Sequence, residues 1–135
     1  MLVKHGPREF LLPDEWWSEA GMMGFRPSGA SYRARRASLP TIEVPVKDVA
    51  PCSRDLSHGV FNDNSVEGTA QERVVRILKA FRDEVPLPPV QLVRSQAASG
   101  YRFDLHQGAH RLYCAVAAGF TAVPAIDVTD ELAKI

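Results

Sequence analysis

DLHQGAHRLYCAVAAGF, residues 104–120, passes from an extended, alternating segment into a helix, and the change falls at Gly108. Glycine suits a sharp strand-to-helix turn because it tolerates positive φ and lets a ligand come close to the backbone. Beyond it, Leu112, Ala115, Val116 and Gly119 keep helical spacing, and Gly119 suits the left-handed residue just past a helix end. The first turn carries His110 and Arg111, two potential cations at the end where the helix dipole favours anions. The N–H groups of Ala109, His110 and Arg111 would form an anion cradle there, with Arg111 adding a bidentate fork and His110 a further donor. Exposed cations in this position cost only about 0.3–1 kcal/mol each. Two readings are therefore open: Arg111 pairs with Asp104 or Glu72, or the turn holds an anionic ligand.

Outward from this turn the elements follow in order. YRFDLHQ places Tyr101, Phe103 and Leu105 on one face of a strand. Before it, Pro88 and Pro89 lead into a short strand, Val90 to Val93, with an AASG turn between the two. Residues 70–84, AQERVVRILKAFRDE, are the clearest helix, with Val74, Ile77, Leu78 and Phe81 on one face. Thr69 is its N-cap, with Glu72 at the capping-box position. TIEVPVKDV, from residue 41, alternates Ile42, Val44 and Val46 as a strand, and a long loop rich in turn formers follows it. After Gly119, AVPAIDV closes as a strand, and residues 129–135 form a C-terminal tail with a fraying helical turn. The order β, loop, α, β, β, α, β implies a small mixed-sheet α/β (α+β) domain over residues 41–128.

Residues 1–40 read as an N-terminal extension with one short helix, LPDEWWSEAGM, in which Pro13 and Asp14 suit a start and Gly21 a stop. Either Trp16 or Trp17 seals the core, or the pair marks a surface for a protein partner or a second copy of the chain. The chain has 135 residues, 45% hydrophobic and 24% charged, which is ordinary composition for one compact domain. Sixteen Lys and Arg balance sixteen Asp and Glu, so no global field draws it to nucleic acid or membrane. Arg33, Arg35 and Arg36 form a local basic cluster, read as a solvated loop or as contacts to nucleic-acid phosphates. Cys52 and Cys114 make no disulfide framework, and no apolar run reaches the ~18 residues that span a bilayer. A cytoplasmic protein with reduced thiols is expected. Cys52, His58, His106 and His110 have no metal-ligand spacing, since the turn at Gly108 separates the two last-named. GxxxxGK[ST], GxSxG and GxGxxG are all missing.

The run LPPVQLV…GYRFDLHQGAHRLYCAVAAGFTAVPAIDV resembles the ParB/sulfiredoxin superfamily. The likeness rests on a PP-hydrophobic strand, an aromatic strand, a G-x-H-R turn, an alanine-rich helix and a V-P-A strand, over about residues 41–128. It implies a ParB/sulfiredoxin-like fold and binding of nucleotide phosphates, of ATP or CTP with Mg²⁺, at Gly108, Ala109, His110 and Arg111. Arg73 and Arg76, on the preceding helix, are the implied further phosphate contacts, and Arg54 matches an arginine of the ParB loop. Ala109 stands where sulfiredoxins carry their catalytic cysteine, so a sulfiredoxin-type reductase is not implied. These 135 residues do not include the helix-turn-helix and dimerisation domains of full-length ParB, so a chromosome-partition clamp is not implied either.

Glu72 and Asp104 are the candidate acid/base residues for a nucleoside triphosphatase or phosphotransferase, with Asp55 and Asp63 in the long loop. Two alternatives stand beside this reading. One is a DNA-binding or nuclease module of ParB-like type. The other is a non-catalytic interaction or regulatory domain acting through residues 1–40.

Overall fold

The computed structural model describes residues 1–51 and 68–134. The chain is a small α+β domain. Two strands, β1 (Leu2–His5) and β2 (Arg8–Leu11), pair as an antiparallel hairpin. After helix α1 (Asp14–Glu19) come strand β3 (Ile42–Pro45), helix α2 (Ala70–Asp83), strands β4 (Val90–Arg94) and β5 (Phe103–Gln107), helix α3 (Ala109–Ala118), strand β6 (Ala122–Asp127) and helix α4 (Thr129–Ala133). The second sheet has the order β3-β6-β4-β5, parallel between β4 and β6 and antiparallel at its two other junctions.

β6 lies second in this sheet, and its first five residues are all buried. Pro124 is tolerated there because the ladder with β4 opens only at Ala125, one residue later. α2 and α3 pack on each other, and α3 also touches β1, β4 and β6. Val74, Leu78 and Phe81 of α2 are buried, and Ile77 is half-buried beside them, as the spacing predicts. Thr69 caps this helix, its hydroxyl accepting from the Glu72 N–H at 3.2 Å. α3 ends in a Schellman turn, with Phe120 N–H on Ala115 O at 3.0 Å and Gly119 N–H on Val116 O at 3.1 Å. Gly119 takes φ 94° there, the role its position implies.

Residues 1–40 contribute to the same core. The hairpin was not part of the sequence expectation, although Gly6-Pro7 supplies its turn. Its inward side chains, Val3 and Phe10, are buried with Leu12, Ala20, Met22 and Tyr32. The adjacent Trp16 and Trp17 are each only half-buried, because two neighbours on a one-and-a-half-turn helix cannot both face inward. Leu12, Ala20 and Met22, on either side of that helix, are fully enclosed instead. β3 is also shorter than the alternation suggests: Val44 is buried, Ile42 is 42% exposed, and a 3₁₀ turn over Val46–Asp48 begins after Pro45. Among the described residues no helix is long and apolar enough to cross a membrane.

His5 is buried on β1. Its Nε2–H donates to the Val46 carbonyl at 3.2 Å, its ring meets Tyr113 edge-on at 5.5 Å, and Nδ1 has no partner among the described residues. Burial pulls its pKa below 6.5, outweighing the backbone contacts that act the other way. The unfolded chain therefore takes up this proton first as pH falls. The stabilisation is complete above about pH 6.5 and is lost progressively below it. Thermal melts between pH 7.5 and 5 should show Tm falling in the wild type, and falling less in a His5→Gln variant; equal slopes would sink this account.

Candidate functional site

Gly108 stands at the junction of β5 and α3 with φ 106°, in the left-handed region. Space as well as dihedral demands glycine. A Cβ there would lie 2.9 Å from Val90 Cγ1 and 3.0 Å from Arg111 Nη2. α3 has no side-chain cap, and its ladder starts with Leu112 N–H on Gly108 O at 2.8 Å. The amides of Ala109, His110 and Arg111 thus lie outside the helix's own hydrogen bonding, at the positive end of its dipole.

These residues open onto a cleft of about 700 Å³. Arg73, Arg76 and Ile77 of α2 line it together with Gln107, Gly108, Ala109, His110 and Arg111, and Arg35, Leu87 and Pro88 complete it. No carboxylate is among the described residues that line it. The structure therefore brings together Gly108, Ala109, His110, Arg111, Arg73 and Arg76, all named from the sequence. Arg54, Asp55, Asp63, Cys52 and His58 lie outside the described residues.

The two cations of the first turn differ in role. Arg73 Nη2 donates to His110 Nδ1 at 3.1 Å, so the buried imidazole accepts through that nitrogen as a neutral ring does. His110 thereby orients a guanidinium of the neighbouring helix instead of adding a second charge to its own. Arg111 keeps its charge and pairs with no carboxylate among the described residues. Its Nη2 donates to Pro89 O at 3.4 Å, its Nε is buried without a partner among those residues, and it lies against the Tyr32 hydroxyl. Tyr32 donates that hydroxyl to Pro88 O at 2.7 Å. Burial pushes its pKa up to about 12, with nearby Arg111 pulling the other way.

Pairing of Arg111 with Asp104 or Glu72 is thus not what the fold does. Asp104, on β5, accepts from Ser95 Oγ at 2.9 Å. Glu72 is exposed on the first turn of α2, where Thr69 Oγ1 donates to its Oε1 at 3.2 Å. Neither lines the cleft, so neither candidate acid/base residue stands beside the cationic cluster. Asp104 lies three residues short of Gln107 on β5 and is engaged by Ser95, and Glu72 is taken up by local capping.

Arg35 is the contributor that residue-by-residue reading missed. Its sequence signal was the basic cluster, which the fold divides. Arg35 enters the cleft, Arg33 lines a separate pocket of about 390 Å³ beside Phe25, Tyr32 and Phe81, and Arg36 is exposed. Cys114, one turn beyond Arg111, is fully buried, and burial pushes its thiol pKa well up, which fits a packed small residue. Among the described residues no group of three His, Cys, Asp or Glu is placed to hold a metal ion. No protein-family model, curated protein or solved structure matches the chain.

Gly108→Ala should lower stability by about 1–3 kcal/mol through the positive φ alone, with added cost if Val90 must shift. A denaturant midpoint equal to that of the wild type would show that the turn does not need glycine.

Proposed function

We propose that the cleft binds the phosphate groups of a nucleoside triphosphate, ATP or CTP. One observation carries this: Arg111 sits on the first turn of α3, beside amides outside the helix ladder, in a cleft whose described lining holds no carboxylate. A helix N-terminus with a guanidinium beside it suits a phosphate group. The volume suits a whole small molecule, since such pockets run to about 300–1,000 Å³. The resemblance of the GAHR turn to the ParB/sulfiredoxin superfamily points the same way.

The described residues that line the cleft fit the phosphate, and among them there is no carboxylate to hold the metal. Mg²⁺ would enter carried on the triphosphate oxygens, where it offsets part of their charge. Arg111 and the α3 amides would hold one phosphate group, and Arg73, oriented by His110, would approach from α2. Hydrolysis or phosphoryl transfer would further require a base beside the acceptor. Glu72 and Asp104 are both committed elsewhere, so the reading is one of nucleotide binding. The division of Arg33, Arg35 and Arg36 between three surroundings favours it over a nucleic-acid stripe, which would use the three together.

Isothermal titration of ATP and CTP with Mg²⁺ should show binding, and Arg111→Ala should weaken it about 10- to 100-fold, as expected for one lost charge-assisted contact. Absence of heat and of any rise in Tm with either nucleotide would refute the reading. Steeply salt-dependent binding of duplex DNA instead would favour the nucleic-acid alternative.

A further inference from the structure

Two carbonyl groups in the stretch Pro86-Leu87-Pro88-Pro89, those of Pro86 and Pro89, hold the side chains of two arginines that line the cleft. Prolines lack an N–H, so this stretch presents acceptors with one amide donor, Leu87, among them. That donor and its carbonyl fix the N-terminal segment alongside. Leu87 N–H bonds Arg33 O at 3.0 Å and Arg35 N–H bonds Leu87 O at 2.8 Å, a parallel bridge centred on Ala34. Arg35 Nε then donates to Pro86 O at 3.3 Å, while Arg111 Nη2 donates to Pro89 O at 3.4 Å. Two guanidinium groups are therefore moored to one proline rail, three residues apart, both lining the same cleft. Neither pairs with a carboxylate among the described residues.

The three amides at the start of α3, with the Arg111 guanidinium beside them, suit one phosphate group. Arg111 belongs to that turn. Arg35 is moored at the other end of the rail, up to about 10 Å along an extended chain, where a second phosphate of the same ligand would lie. We propose that Arg35, supplied by residues 1–40, binds a phosphate beyond the one at α3 and makes the cleft selective for polyphosphates over monophosphates. This rests on the nucleotide-phosphate reading above and adds a ligand class and a residue to it. It also assigns the N-terminal segment a part in the site, as one of its walls.

The test uses inorganic probes, which remove the unknown base. Orthophosphate and tripolyphosphate are titrated into the wild type, Arg35→Ala, Arg111→Ala and, as a charge control, Arg36→Ala. The wild type should prefer tripolyphosphate. Arg35→Ala should weaken tripolyphosphate about 10- to 100-fold and leave orthophosphate unchanged, Arg111→Ala should weaken both, and Arg36→Ala neither. Should Arg35→Ala fail to melt cooperatively, Arg35→Gln, which keeps a donor for the Pro86 carbonyl, replaces it. The proposal is overturned if the Arg35 variant binds tripolyphosphate as the wild type does, or loses both probes equally. If the wild type binds neither probe and no nucleotide, the nucleotide reading falls and this one with it; if it binds nucleotide and only Arg35 proves silent, this one falls alone.

Discussion

Gly108 can hold φ at 106° because it has no Cβ, and the space that a Cβ would occupy is filled by Val90 of β4 and the guanidinium of Arg111. This contact sets where α3 leaves the sheet. From that start α3 runs across β4 and β6 and packs on α2, which brings His110 against Arg73. Arg111 curls over the turn toward the proline stretch. A larger residue at position 108 would push the turn off β4 and disturb all three relations at once.

The electrostatics of the cleft follow from small numbers. A cation near a helix N-terminus costs about 0.3–1 kcal/mol, and a good hydrogen bond from a charged group returns about 1.5–3 kcal/mol. The carbonyl contacts of Arg35 and Arg111 are long, 3.3 and 3.4 Å, near the outer limit of useful geometry. They orient the two guanidinium groups without neutralising either. His110 adds to this by accepting from Arg73, so the turn carries one fixed charge where the residue names suggest two. Tyr32, held on Pro88, lies in the core with its hydroxyl against Arg111.

Much of the order of elements was legible. The apolar face of α2, the Thr69 cap and the glycines that open and close α3 are all local signals, and each appears in the structure where the sequence places it. β5 is shorter than the sequence pattern suggests: it begins at Phe103, with Tyr101 outside it, and its burial does not alternate. The β1–β2 hairpin leaves little trace in the sequence because its strands are four residues each, too short for a clear period of two. In β3 the alternation continues to Val46 in the sequence, while the backbone enters a 3₁₀ turn at that residue. Trp16 and Trp17 are the largest side chains near this helix, but the enclosed positions are the smaller Leu12, Ala20 and Met22.

The turn chemistry is written locally in the residues: a glycine between strand and helix, a cation following it, and arginines on the helix before. These are legible because backbone dihedrals and helical periodicity depend on residues only a few positions apart. Which charges meet depends on how distant segments pack. Arg35 reaches the cleft because a parallel bridge to Leu87 seats it there, and Asp104 and Glu72 stay outside its lining, engaged by Ser95 and Thr69. Such choices depend on packing between segments far apart in the chain, which no local pattern records.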